Sequence, residues 1–111
     1  MSSFVVQVDK GQEVLTTIQA EVTSRGTSYA SIVLIGAVQE ATVSVMPKGD
    51  PLGDILTDYV APFEITGTGE VTQGKVHLHV AMGGEGVTVV GHLHRAVVAD
   101  WFVRAYVSPV G

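Results

Sequence analysis

The sequence predicts one α+β domain, residues 1–111, in which a mostly antiparallel sheet of about seven strands packs with one main N-terminal helix. A single segment, close to the start, carries apolar residues at helical spacing, whereas the rest reads as short apolar or alternating strands between turn residues. The length of 111 residues suits one domain and not two.

The first two elements are a strand and the helix. Phe4 to Val8 alternates enough to be a strand, and Asp9 has the position of an N-cap, with Gln12 three residues later as in a capping box. A helix is predicted from about Lys10 to Arg25, with Gly26 ending it as the C′ residue. Its apolar residues recur at helical spacing: Val14, Leu15, Ile18 and Val22.

Two strands and a loop are predicted next. Tyr29 to Val38 is an apolar run rich in β-branched residues, and Gly36 within it marks a bulge or a close backbone approach. Glu40 to Met46 alternates as the following strand. Residues 47–54 contain two prolines, two glycines and two aspartates, so their turn chemistry predicts a loop.

The second half of the chain is predicted to be all strand and turn. Tyr59 to Thr66 is a strand, and residues 67–71 are predicted as a bend because they contain two glycines but lack the third glycine and the helix of a dinucleotide site. Two histidine-bearing strands follow. Ala96 to Val107, with three aromatic residues, closes the domain as a long apolar strand.

The four histidines of the chain form two short pairs, His77 with His79 and His92 with His94. Residues 83–86, Gly-Gly-Glu-Gly, lie between the pairs and predict a tight turn that joins two antiparallel strands. Because side chains of a strand alternate between its faces, the two histidines of each pair point the same way.

The apolar residues predict the register of this hairpin. Val76, Leu78, Val80 and Met82 should lie against Val87, Val89 and Leu93, which requires paired residue numbers that add to an odd number, for example Val80 opposite Val89. His77 is then opposite or diagonal to His92, and all four imidazoles share one face. A slip of one residue would send a histidine pair into the core, so the buried face specifies the register.

A four-imidazole cluster is a candidate site for zinc or another divalent transition metal. The predicted ligands are His77, His79, His92 and His94. The chain has no cysteine, so a zinc site must be completed by carboxylate or water. Two alternatives stay open: the histidines are solvent-facing polar residues that stack without a metal, or they bind an anion.

The composition predicts self-association. Only 15% of the residues are charged, against about 25% in typical domains, and the mean hydropathy is +0.37. Because a domain this small has a large surface relative to its volume, it cannot hide so much apolar surface alone. We therefore expect an oligomer whose interfaces cover strand faces.

Charge and terminal composition argue against several other classes of function and make nucleic-acid binding doubtful. The net charge is −5, and the six Lys and Arg residues are scattered, whereas nucleic-acid binding requires clustered cations. The first residues have no basic region and no long apolar run, so no secretory signal is predicted. No segment approaches the about 20 apolar residues of a membrane span. We expect a soluble, cytoplasmic protein without membrane association.

Several segments together resemble the plant- and prokaryote-conserved (PPC) domain, which occurs in plant AT-hook nuclear proteins and as stand-alone prokaryotic proteins. The resemblance runs from about Phe4 to Ser108, and the order of its pieces is more specific than any one of them: residues 31–38 (SIVLIGAV), 62–67 (PFEITG), 77–80 (HLHV) and 91–93 (GHL). It implies a PPC-like α+β fold, a homotrimer, and metal ligands at His77, His79 and His92.

The resemblance also implies a DNA-associated role, but the AT-hook of the plant proteins contacts DNA through an Arg-Gly-Arg core that this chain lacks. The sequence departs from the family pattern around the last histidines. Val90 replaces the first glycine of Gly-Gly-His-Leu, and His94, Arg95 and Ala96 follow where the family has aliphatic, acidic and glycine residues.

Three classes of function are consistent with these observations, and enzymatic activity is left open. The first is a trimeric metal-binding module with a regulatory role. The second is a zinc-dependent hydrolase or lyase in which Glu64, Glu70 or Asp100 acts as general base. The third is a binder of, or enzyme on, a small anionic ligand held by the imidazoles and Arg95 between subunits.

Overall fold

Antiparallel strands dominate the computed structural model, which describes residues 2–111. One helix and six strands follow each other along the chain: β1 (Phe4–Val8), α1 (Val14–Ser24), β2 (Tyr29–Val45), β3 (Ile55–Thr72), β4 (Lys75–Gly84), β5 (Val87–Val97) and β6 (Val103–Pro109). The predicted α+β class with one helix is confirmed. No helix among these residues is long and apolar enough to span a membrane.

All six strands belong to one antiparallel sheet of order β1-β6-β2-β3-β4-β5. The long strand β2 is its centre: it pairs along its whole length with β3, and its other edge is shared by β6 and β5. Because β5 pairs with both β4 and β2, strands β2 to β5 form a closed circuit of pairings.

The prediction of about seven strands is wrong by one, because Tyr29–Val38 and Glu40–Met46 form the single strand β2. The register to β3 shifts between Val38 and Glu40, so the predicted strand end is a β-bulge, which bends a strand without ending it. The predicted close approach at Gly36 is confirmed, since a Cβ atom there would collide with the carbonyl oxygen of Phe102.

Strand β3 begins four residues earlier than predicted and continues through residues 67–71, so the predicted bend is wrong. Gly67 and Gly69 instead serve close packing: a Cβ atom on either would collide with backbone oxygens of β4. Both glycines pair with β2 on one side and β4 on the other. These two ladders hold the segment extended, and local composition does not reveal them.

The predicted last strand, Ala96 to Val107, is interrupted. Its first two residues end β5, its last five belong to β6, and residues 98–102 form a loop between them. Within this loop Trp101 has φ +77°, a conformation that bulky side chains rarely adopt. The loop is fastened by Gln39, whose Oε1 accepts the backbone N–H groups of Ala99 and Asp100 at 2.7 and 2.8 Å.

The helix is shorter than predicted at its N-terminus. Its N-cap is Glu13 rather than Asp9, because the Glu13 carboxylate accepts the N–H groups of the first helical turn. Gln12 accepts the N–H of Asp9 at 2.8 Å, so that predicted pair exists but stabilises the preceding turn. The predicted C′ glycine is confirmed, since Gly26 has φ +64°.

The core lies between α1 and the inner face of the sheet. Val14, Ile18 and Val22 are completely buried, and burial of such a side chain contributes about 1.5–3 kcal/mol. The other sheet face, here called the outer face, has no covering layer within residues 2–111. Val33 and Ile35 of β2 point to it and are 54% and 58% exposed.

Candidate functional site

The hairpin of β4 and β5 places all four histidines on the outer face. Leu78, Val80 and Met82 are buried on the inner face, so the intervening His77 and His79 point outwards. The predicted odd register is confirmed, although the partner of Val80 is Gly91 and not Val89.

The register makes His79 the direct cross-strand partner of His92, and His77 is diagonal to His92 as predicted. The ring centroids of His77 and His79 are 5.0 Å apart. The His92 ring is 4.6 Å from that of His77 and 6.0 Å from that of His79, and the His94 ring is 4.4 Å from that of His92. These four rings are the histidine cluster.

The spacing of the rings fits one metal ion, although the side-chain orientations do not yet form a ligand set. Imidazoles bound tetrahedrally through Zn–N bonds of about 2.0–2.1 Å have ring centroids about 5 Å apart, which the rings of His77, His79 and His92 approach. Within residues 2–111, however, no three His, Asp or Glu side chains are arranged to hold a metal ion. Metal binding would therefore require the imidazole rings to reorient.

Among residues 2–111, His94 is the one histidine whose ring has a hydrogen-bond partner. Its Nε2 lies 2.7 Å from the hydroxyl oxygen of Ser44, which is 2% exposed. The Ser44 hydroxyl donates in turn to Asp54 Oδ1 at 3.4 Å. His94 thus satisfies a buried hydroxyl, and one of its two ring nitrogens is engaged before any ligand arrives.

Burial lowers the pKa of His92 below its ordinary value of 6.5, and repulsion from His94, His77 and His79 lowers this pKa further. The carboxylate of Asp54 acts in the opposite direction. A lowered pKa keeps the ring neutral at pH 7, and a neutral imidazole nitrogen is the form that binds metals.

The three carboxylates considered as general bases lie in different places. Glu70 is the cross-strand partner of His77 and lines a cavity of about 320 Å³ with His77 and His79. Glu64 lines a separate cleft on β3. Asp100 forms an ion pair with Lys10 at 3.5 Å. Only Glu70 therefore has access to the histidine cluster.

Half of the six cations are already paired with carboxylates. Arg95 Nη1 lies 3.2 Å from Glu40 Oε1, Arg25 pairs with Glu21 at 2.7 Å, and Lys10 pairs with Asp100. Arg95 is thus neutralised by a neighbour on β2, which reduces its ability to hold an anion beside the histidines.

The histidine cluster continues an apolar row that crosses the whole outer face. Each member is the cross-strand partner of the next, so neighbouring Cβ atoms are about 4.5–5.5 Å apart. In order from β1 to β5 the row contains Val5, Tyr106, Val33, Thr68, His79 and His92. The side chains of Val5, Tyr106 and Val33 are about half exposed.

Sequence reasoning missed Ser44 and Asp54, which line a cavity of about 340 Å³ together with His79 and His92. Asp54 lies at the end of the predicted loop, and Ser44 reaches the histidines only because β2 pairs with β5. No local pattern signals this pairing, since the two residues are far from β5 in the chain.

Comparisons with known proteins agree with this architecture. The profile of the Plants and Prokaryotes Conserved (PCC) domain matches residues 1–110. A search of curated proteins found no match to the sequence.

Solved structures share the fold across nearly the whole chain. A metal-containing protein of Archaeoglobus fulgidus is 25% identical with a TM-score of 0.87, over 98% of this chain and 79% of that one. A plant- and prokaryote-conserved protein of Pyrococcus horikoshii is 21% identical with a TM-score of 0.85, over 100% and 80%. A Bacteroides thetaiotaomicron protein, provisionally described as DNA-binding, is 22% identical with a TM-score of 0.83, over 98% and 79%.

Proposed function

This chain belongs to the Plants and Prokaryotes Conserved domain family. We propose that it is a homotrimeric module that binds a divalent transition metal through His77, His79 and His92, with zinc as the preferred candidate. The observation that carries the proposal is the histidine cluster itself, with ring centroids 4.4–6.0 Å apart on one sheet face. His94 supports the site from outside through its bond to Ser44.

Three features support a metal rather than a stack of solvent-facing rings. The spacing of three rings matches a tetrahedral site, and imidazole nitrogens suit zinc, copper, nickel and iron. Neutral His92 offers a free nitrogen lone pair at pH 7. The structurally similar Archaeoglobus fulgidus protein is described as metal-containing.

Self-association is supported by the uncovered outer face. Val5, Val33 and Tyr106 are each 46–54% exposed, and monomeric proteins rarely leave a contiguous apolar patch of this kind in water. Because the histidine cluster lies in the same cross-strand row, an interface on this face reaches the metal site. A trimer is the state that the family resemblance implies.

Direct DNA binding has no comparable support. The net charge is −5, and three of the six cations are neutralised by carboxylates. We therefore do not extend the DNA-associated role of the family to phosphate contacts by this chain, because such contacts require unpaired, clustered cations.

A zinc-dependent hydrolase is the second candidate, and the position of Glu70 favours it. Bound zinc supplies Lewis acidity that activates water near neutral pH. The Glu70 carboxylate shares a cavity with His77 and His79, so its oxygens are placed to accept a proton at that position. Glu70→Gln would then abolish turnover of a screened ester or phosphate while leaving zinc content unchanged.

Native mass spectrometry together with elemental analysis tests the main proposal, on protein purified without a histidine tag. We expect a trimer with up to one zinc ion per chain. The double variant His77→Ala/His92→Ala should lose the metal, whereas His94→Gln, the matched control in the same cluster, should keep it. A metal-free wild type after incubation with zinc would refute the metal site, and a monomer would refute the trimer.

A further inference from the structure

We infer that the outer face carries a second site, separate from the histidine cluster, that binds a small organic cation with an apolar body. The site is a cleft of about 620 Å³ beside the loop of residues 98–102. Its lining is apolar except for Glu64 and two threonines: the other members are Ile35, Gly36, Ala37, Ile65, Ala81, Met82, Gly83, Trp101 and Phe102.

Small residues on both sides of Glu64 create the cleft. The cross-strand partners of Glu64 are Ala37 on β2 and Gly83 on β4. A Cβ atom on Gly83 would meet nothing within 4 Å, so the missing side chain leaves real space. The wall of this depression is the large side chain of Trp101, which is 71% exposed.

The carboxylate of Glu64 lacks a charge partner. It takes part in none of the ion pairs formed among residues 2–111, and its neighbours Ala37 and Gly83 have no side-chain donor. Arg104 lies next to the cleft, but its guanidinium stacks on the Phe102 ring at 4.0 Å and donates to Gln7 at 2.9 Å. Glu64 is exposed at the rim of this apolar cleft, and a carboxylate without a charge partner beside apolar walls is complementary to an ammonium group on an apolar body.

The backbone of Trp101 is held at a positive φ that bulky residues rarely adopt. Strained backbone persists only where its surroundings over-determine it, and such residues cluster at ligand sites. Here Gln39 binds the two preceding N–H groups, and the Phe102 carbonyl accepts the N–H of Ala37 at 2.9 Å. An indole and a carboxylate that line the same cleft offer an organic cation both a π face and a counter-charge.

The cleft and the histidine cluster are distinct sites on one face. Glu64 and Thr68, the cross-strand partner of His79, are four residues apart on β3, which corresponds to about 13 Å along a strand. Thr66 and Ala81, at the near edge of the cleft, lie closer to the histidines, since both line a further cavity with His79. We expect a ligand bound at Glu64 to stay clear of zinc at the histidines, and the cleft to keep its ligand when zinc is removed.

Trp101 is the only tryptophan of the chain, so its fluorescence reports on the cleft directly. The probe is phenethylammonium, compared with neutral 2-phenylethanol and anionic 3-phenylpropionate, all in the presence of EDTA. We expect phenethylammonium to produce a saturable blue shift, with affinity about tenfold above that of 2-phenylethanol, as is typical of a charge-assisted hydrogen bond.

Glu64→Gln should weaken phenethylammonium binding about tenfold. The matched control Glu70→Gln removes the same charge further along β3 and should leave the affinity within about twofold. An unchanged melting temperature and unchanged free emission would show that Glu64→Gln folds normally.

Four results would overturn the inference. Equal affinity for the three probes would show apolar binding without charge recognition. Equal loss in Glu64→Gln and Glu70→Gln would show a general effect of net charge. Blue-shifted Trp101 emission that no probe changes would show that a second copy of this chain occupies the cleft. Loss of binding in EDTA alone would also count against it, since the site would then depend on the metal.

Discussion

Stabilisation by zinc should depend strongly on His79 and only weakly on His94. Ring spacing places His79 in the trio that surrounds a common point, whereas one ring nitrogen of His94 is engaged by Ser44 at 2.7 Å. Replacing His79 by Asn removes a ligand of the proposed site. Replacing His94 by Gln removes a supporting group and keeps a polar end near the Ser44 hydroxyl.

The size of the zinc-induced shift in melting temperature follows from the free energy of zinc binding and from the unfolding entropy, which depends on chain length. Zinc at 100 times its dissociation constant stabilises the folded state by about 2.7 kcal/mol. With about 2.1 cal/mol/K of unfolding entropy per residue, the 111-residue chain gains about 12 °C in melting temperature. Outer-shell changes cost about 10–100-fold in metal affinity, and a lost ligand costs at least the upper value.

The expected shifts at the same zinc concentration therefore differ clearly. A 100-fold loss in His79→Asn leaves about 0.4 kcal/mol, or about 2 °C. A tenfold loss in His94→Gln leaves about 1.4 kcal/mol, or about 6 °C. Each variant is its own reference in EDTA, so differences in intrinsic stability between the variants do not enter the comparison.

Differential scanning calorimetry with and without zinc, at one protein concentration, measures these shifts. Magnesium serves as a control, because it prefers oxygen ligands and should not stabilise an imidazole site. A shift of about 12 °C that survives in His79→Asn would refute the ligand assignment. Absence of any shift in the wild type would refute the metal site altogether.

Further predictions concern pH, self-association and backbone strain. The pKa of His92 is lowered in the folded state, so the unfolded chain takes up this proton first as the pH falls. In EDTA, the free energy of unfolding should therefore decrease below about pH 6.5. Thermal melts between pH 7 and pH 5 should show a shallower decrease in His92→Asn. Val33→Asp should convert the oligomer to a monomer in native mass spectrometry. The control Val110→Asp should not, although Val110 is 55% exposed and Val33 54%. An intact oligomer in Val33→Asp would exclude this face as the interface. Trp101→Gly should raise the melting temperature by about 4–13 °C, because a strained φ costs about 1–3 kcal/mol and glycine adopts it freely. A clear decrease would show that the indole contributes packing instead.

The fold class was predictable because the signals for it are local. Apolar residues at helical spacing identified α1, and the missing Cβ of Gly26 marked its end at a positive φ. Strand boundaries were predicted less well. Gly67 and Gly69 predict a bend by composition, but in the structure they allow two neighbouring strands to approach closely. This use of glycine depends on what lies beside the strand.

The sequence by itself determined that the histidines share one face. Leu78, Val80 and Met82 must be buried, and a period of two leaves no other direction for His77 and His79. The same argument, applied to β5, brought the second pair to the same side. Its partner assignment was off by two residues, because periodicity fixes the parity of a register but not its absolute value.

Only the tertiary structure decided what surrounds those histidines. The pairing of β2 with β5 brings Ser44 to His94, and the ladders across all six strands place Val33 in one row with His79. The loop that presents Trp101 beside Glu64 likewise depends on contacts between distant segments. Such long-range pairings arise from packing and hydrogen bonding of the whole sheet, and the local alternation of residues carries no record of them.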